Sequence, residues 1–312
     1  MKTIRPPKLN KHDLIGIVTP ASPVADSSRI ERGVRYLESI GYRTKIGVNV
    51  GKVRGYLAGT DEERVADLHA MFADKEVKAI ICVRGGYGTP RLLPLLNYRL
   101  IARNPKIFSG FSDITALQFA FWKKCGLITF HGPMAGVEMA GEIDPFTEEM
   151  FWRTVRSAKK IGKIAFPEEP QVQSLHSGKA RGRLLGGNLS LIVSILGTSY
   201  QPSFRNSLLF VEEIEEQPYR LDRMMMQIRN ARLYKDISGM LLGRFTGCEA
   251  DPSKPSLSTA EVFQDVAASF DKPVLANLPF GHVSKKLTLP FGLLARMDAS
   301  KLSLEFLEPS VK

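Results

Sequence analysis

The chain has 312 residues, 44% hydrophobic and 24% charged, the balance of a folded globular protein long enough for two domains, which excludes a disordered or fibrous chain. No run is apolar for long enough to cross a bilayer, the basic N-terminal stretch has no apolar core of the kind a secretory signal needs, and three scattered cysteines (Cys82, Cys125, Cys248) suit neither a disulfide framework nor a zinc site. The net charge of +11 is spread along the chain without basic runs interleaved with aromatics, so neither nucleic acid nor a membrane is an expected partner, and the expected compartment is a reducing cytoplasm.

Residues 14–19 (Leu-Ile-Gly-Ile-Val-Thr) read as a buried strand closed by Pro20 and Pro23. A helix follows over 28–40, with Ile30, Val34, Leu37 and Ile40 on one face, then a strand over 44–48. Asp61 to Arg64 open a second helix with Val65, Leu68, Met71 and Phe72 inward. Residues 78–83 form a near-continuous apolar strand, a further strand begins at Lys106, and a helix with apolar residues at helical spacing follows Ser112. Strands that are apolar throughout and joined by helices indicate a parallel sheet covered on both faces.

Between 159 and 180 the periodicity weakens into Lys, Gly, Pro, Gln and Ser, which reads as a linker. The expected organisation is an N-terminal α/β domain over 1–158, Rossmann- or flavodoxin-like, and a smaller C-terminal α/β domain over 181–312. In the latter, 182–189 run into a helix over 190–196, a strand over 208–211 ends at Glu212-Glu213, a helix covers 221–232, and 239–243 form another strand.

In parallel sheets ligands bind beyond the carboxyl ends of the strands. Three polar or glycine-rich turns lie at that edge: 19–23, 84–89 and 110–113. Ser112, pinned between a strand and a helix, has the layout of a nucleophile elbow, with helix N–H groups placed where an oxyanion forms; the competing role is a plain helix N-cap. Arg84-Gly85-Gly86-Tyr87-Gly88 lets a ligand approach the backbone, and Arg84 suits a carboxylate, a structural ion pair being the alternative. As a dinucleotide fingerprint this cluster fails, because the first strand is followed by Thr-Pro-Ala-Ser-Pro. Among five histidines, His282 sits on a loop beside Gly281, and His131 competes with it from the end of a short strand; His69 lies on a helix face and His12 near the terminus. Glu212 and Glu213 end an apolar strand, where a carboxylate can orient an imidazole or pair with Arg220 or Arg223. No His-Glu-x-x-His or Cys-x-x-Cys motif occurs, so no metal and no cofactor are expected.

Seven of these segments, in this order, resemble the LD-carboxypeptidase family of serine peptidases, which spans murein tetrapeptide carboxypeptidases and microcin-immunity peptidases. They are residues 15–23, 84–88, 110–113, 185–189, 210–213 and 218–223, and Gly281-His282. The resemblance implies a Ser-Glu-His triad of Ser112, Glu212 and His282, with the nucleophile in the N-terminal domain and the acid and base in the C-terminal one. It implies an oxyanion hole from the backbone amides of Asp113 and Gly86, substrate contacts at Arg84, Gly85 and Asn188, a muropeptide substrate, and a homodimer. The family usually has Glu-Asp where this chain has Glu212-Glu213; strand alternation puts the two on opposite faces, and alignment favours Glu212. The implied activity is hydrolysis of the L,D bond before a terminal D-alanine. The alternatives are an immunity peptidase acting on a peptidyl-nucleotide antibiotic and a non-catalytic module binding an anion at residues 84–88.

Overall fold

The computed structural model describes residues 2–169 and 171–312; Met1, at the start of the expected first domain, and Pro170, within the expected linker, lie outside the described residues. In chain order the elements are β1 (Leu14–Val18), α1 (Ser28–Ser39), β2 (Arg43–Ile46), α2 (Asp61–Ala73), β3 (Val77–Cys82), α3 (Tyr98–Arg103), β4 (Ile107–Gly110), α4 (Thr115–Cys125), β5 (Thr129–His131) and α5 (Pro145–Arg156). There follow β6 (Gly162–Lys163), β7 (Gln173–His176), β8 (Lys179–Asn188), α6 (Leu189–Ile195), β9 (Ser207–Ile214), α7 (Pro218–Asn230), α8 (Leu233–Asp236), β10 (Gly239–Thr246), α9 (Thr259–Phe270) and β11 (Val274–Ala276). The last three strands are β12 (Leu289–Phe291), β13 (Leu294–Asp298) and β14 (Ser303–Phe306). No helix among the described residues is long and apolar enough to cross a membrane.

Two compact units emerge, both α/β. The first holds Met1–Lys159, Ser284–Gly292 and Pro309–Lys312; the second holds Lys160–Val283 and Leu293–Glu308. In the first, the sheet order is β12-β5-β4-β3-β1-β2, parallel throughout except for antiparallel β12. Central β1 is buried along its whole length, whereas β2, at the edge, is largely exposed. Local chemistry sets several boundaries. Thr60 and Glu63 form a reciprocal capping box that starts α2, and the Asp144 carboxylate accepts the Phe146 and Thr147 N–H groups to start α5. The core gathers Phe72, Phe108 and Phe121, with ring centroids 5.0–6.3 Å apart, and Phe119 meets Phe291 of β12 at 4.9 Å. Helix α4 is buried on nearly every side, so its sequence carries less amphipathic contrast than a surface helix.

The second unit has eight strands in the order β6-β14-β13-β8-β9-β10-β11-β7. Its centre, β8 to β11, is parallel, and the flanking strands pair antiparallel. Two differences from the sequence expectation stand out. The stretch 159–180 carries β6, β7 and the first residues of β8, each too short or too polar to signal a strand without its distant partner. In addition, residues 284–292 and 309–312 belong to the first unit, because β12 completes its sheet edge and the Lys312 amide bonds to the Pro6 carbonyl.

Candidate active site

In the first unit, β4 ends at Gly110 and a short 3-10 turn, Ser112–Ile114, leads into α4. Ser112 sits in the left-handed region, with φ 62°. For a non-glycine residue that conformation costs about 1–3 kcal/mol and persists only where the surroundings impose it. The N-cap positions of the turn and of α4 are Phe111 and Ile114, and neither makes a side-chain cap. Ser112 is therefore an elbow residue and not the capping serine that its sequence position also allowed.

The glycine loop after β3 presses against this elbow. A Cβ on Gly85 would lie 2.8 Å from the Ser112 Cβ, closer than real Cβ contacts come, so glycine is required there. Gly86 has φ 111°, and a Cβ on it would meet the Ser22 hydroxyl at 2.4 Å. The Arg84 guanidinium donates to the Pro23 carbonyl at 3.1 Å. Asp113 is 1% exposed, and its carboxylate accepts the Thr89 N–H at 2.8 Å, tying the elbow to the glycine loop. Burial raises this carboxyl from 3.8 to about 6.

In the second unit, β9 runs through both glutamates. Glu212 is fully buried, and its Oε2 lies 2.7 Å from His282 Nδ1. With Nδ1–H donated to the carboxylate, the ring's lone pair falls on Nε2, the tautomer a general base needs. The loop holding His282 is fixed from below: Arg244 N–H donates to the Phe280 carbonyl at 2.9 Å, and Thr246 Oγ1 donates to the His282 carbonyl at 3.1 Å. Gly281, at φ 109°, makes the approach feasible, since a Cβ there would lie 2.9 Å from the Glu212 Cβ. Glu213 points elsewhere. It accepts from Asn188 Nδ2 at 2.6 Å, the Ser190 N–H at 2.8 Å and the Ile214 N–H at 3.0 Å, and burial raises its pKa.

Sequence models of two consecutive domains match this architecture: the LD-carboxypeptidase N-terminal domain over residues 15–132 and the LD-carboxypeptidase C-terminal domain over 181–297. The chain belongs to the LD-carboxypeptidase family. It is 38% identical over 299 residues to a Bacillus subtilis protein named "Probable murein peptide carboxypeptidase", covering 95% of this chain and 92% of that one. Against the murein tetrapeptide carboxypeptidase of Pseudomonas aeruginosa it is 32% identical over 295 residues, 92% and 94% of the two chains. The solved structure of the microcin C7 self-immunity protein MccF in its wild-type apo state superposes with a TM-score of 0.91 at 28% identity, covering 99% of this chain and 100% of that one.

The first unit brings Ser112, Asp113, Arg84, Gly85 and Gly86 into one neighbourhood, and the second brings Glu212 to His282. Asn188, expected as a substrate contact, is held inside the second unit. It is 3% exposed, and its side chain both donates to Glu213 and, as the N-cap of α6, accepts the Leu191 N–H. The alternative partners of the glutamates resolve as well: Arg220 pairs with Glu216 at 3.2 Å, and Arg223 lies over the Tyr219 ring. His69 accepts the Asn97 N–H, and His131 is buried inside β5. Sequence reasoning missed Lys286. This fully buried residue pairs with Glu138 and holds its ammonium 3.5 Å from the ring centre of Phe111, the residue before Ser112. Lys286 stands beside Lys285 at the start of the mostly apolar stretch Leu287 to Phe291, and nothing in that pattern marks it as the buried one of the two.

Proposed function

We propose that the chain is a serine carboxypeptidase that hydrolyses the L,D bond before the terminal D-alanine of peptidoglycan-derived tetrapeptides. The observation that carries this reading is the buried Glu212 carboxylate on His282 Nδ1, which supplies a base of the right tautomer to a family whose nucleophile position here is a strained elbow serine. In this mechanism His282 Nε2 takes the proton of the Ser112 hydroxyl as the oxygen attacks the carbonyl carbon of the penultimate residue. The oxyanion accepts from the backbone amides of Asp113 and Gly86. On collapse, His282 returns the proton to the departing amine of D-alanine, leaving an acyl ester on Ser112. Water, deprotonated by the same ring, hydrolyses that ester. Glu212 stabilises the imidazolium in each half, and the Arg84 guanidinium receives the substrate's terminal carboxylate.

The test is incubation of wild type and Ser112→Ala with a murein tetrapeptide ending in D-alanine, following free D-alanine by mass spectrometry. Release by wild type alone supports the reaction and the nucleophile together; release by neither refutes the murein assignment. A second reading, cleavage of a peptidyl-nucleotide antibiotic, draws on the likeness to MccF. It predicts that cells expressing the protein survive such an antibiotic, which murein hydrolysis does not. The proposal also places the enzyme in the cytoplasm, which suits its three free, buried thiols, and as a homodimer, which sedimentation equilibrium would test.

A further inference from the structure

Helix α2 carries Arg64 in its first turn, and the side chain runs inward: the residue is 2% exposed. A buried guanidinium is costly unless its donors are used, and here they are used on the backbone of two loops. Arg64 Nη1 donates to the Pro20 carbonyl at 2.6 Å and to the Gly88 carbonyl at 3.0 Å. Arg64 Nη2 pairs with Asp61, which Arg91 holds in turn at 2.8 Å. The two carbonyls belong to buried residues of the loops after β1 and β3, at the carboxyl edge where Ser112 follows β4.

These two loops meet at one peptide bond. The Ser22 N–H, two residues past Pro20, donates to the Gly85 carbonyl at 3.2 Å. A trans peptide points its N–H opposite to its carbonyl, so this bond aims the Gly86 N–H away from Ser22. No acceptor among the described residues takes that N–H. Further along the glycine loop, the Ser22 hydroxyl accepts the Tyr87 N–H at 3.0 Å, and Asp113 accepts the Thr89 N–H at 2.8 Å. The peptide between Gly88 and Thr89 is therefore held at both ends, by Arg64 at its carbonyl and by Asp113 at its N–H. Through Pro20, Arg64 holds the loop that supplies Ser22; through Gly88, it holds the glycine loop itself. One nitrogen thus sets the spacing of the two loops whose shared bond aims the Gly86 amide.

We propose that Arg64 is a positioning residue of the reaction: by bonding the Pro20 and Gly88 carbonyls with one nitrogen, it holds the Gly86 amide where the oxyanion forms. This role rests on the oxyanion assignment in the reading above. The test compares D-alanine release from the murein tetrapeptide by wild type, Arg64→Ala and Arg64→Lys, the alanine variant also with guanidinium chloride well below denaturing concentration. The expected result for Arg64→Ala is a kcat lower by about a hundredfold with little change in KM, the pattern of a transition-state donor displaced by about an ångström. Added guanidinium restores much of that rate, and sodium chloride at the same concentration does not. Arg64→Lys keeps a cation beside Asp61 without the planar fork and is expected to lose less, which keeps the test open if the alanine variant fails to fold. Wild-type kcat in either folded variant, or no response of Arg64→Ala to guanidinium, overturns the positioning role. A second readout needs no turnover: hydrogen exchange at the Ser22, Tyr87 and Thr89 amides, whose bonds make up the joint. Faster exchange confined to these amides in both variants supports the role. If wild type then releases no D-alanine, the murein reading falls alone. Unchanged exchange there, or faster exchange spread evenly over β1 and β3, overturns the role and leaves the murein reading to D-alanine release by wild type.

Discussion

The two strand ends that carry the candidate chemistry are held by opposite means. At the end of β4, Ser112 is kept in a left-handed conformation by steric packing, with Gly85 against its Cβ and Asp113 anchoring the neighbouring loop. At the end of β9, Glu212 is kept in place by burial and by a hydrogen bond to His282. One end stores conformational strain, and the other holds a single carboxylate oxygen on an imidazole nitrogen. The difference teaches that a side chain can be positioned by an over-determined backbone or oriented by burial and a hydrogen bond, the two needs of the proposed nucleophile and of its proposed base.

The sharpest break of the comparison is at Ser112. Ser112→Ala is expected to abolish D-alanine release, a loss of about five to six orders of magnitude in kcat, with the fold intact by circular dichroism. Ser112→Gly should be equally inactive yet raise stability by about 1 kcal/mol in urea titration, because glycine carries no penalty at φ 62°. On the other side, Glu212→Gln is expected to lower kcat by about four orders of magnitude, since an amide can hold the ring in the wrong tautomer. Glu213→Gln should instead destabilise the protein by about 1–3 kcal/mol, because its oxygens accept three donors, and leave most of the catalytic rate. If the two glutamate variants exchange these phenotypes, the assignment of the orienting acid is reversed.

A subtler test uses pH. The Asp113 carboxyl, raised to about 6 by burial, keeps its proton in the folded chain at pH values where the unfolded chain has lost it. Its contribution to stability therefore declines as pH rises from about 4 to about 6. Urea titrations of wild type and Asp113→Asn across that window should differ in slope, with the wild type losing stability relative to the variant as pH rises. Parallel slopes would show that Asp113 does not titrate there.

The contrast also explains what could be read from the sequence. The elbow was legible because it is local: a strand ending at Gly110, Ser112, and an apolar helix lie within a dozen residues. The parallel sheet was legible because β1 and β3 are almost wholly apolar runs. Glu212 and His282 lie 70 positions apart, and alternation along β9 says only that the two glutamates face opposite ways; which one meets the imidazole is settled by packing around Gly281. Asn188 was singled out because it stands in a glycine-rich motif at the end of β8; its bonds to Glu213 and to the start of α6 depend on partners that the motif does not contain. The strands β6, β7 and β12 have two to four residues each and acquire meaning only from partners far along the chain.

The route of the polypeptide has a consequence for how the protein comes into being. The chain passes from one unit to the other at 159/160, 283/284, 292/293 and 308/309. A ribosome that has released residue 159 has delivered most of the first sheet but not its β12 edge, nor Lys312, which bonds to Pro6 and Lys8. Vectorial synthesis therefore leaves the first unit's sheet with an open margin until residues 289–291 have emerged. Neither unit corresponds to one continuous stretch of the chain, so a single crossover anywhere between 159 and 309 divides at least one unit between two parents.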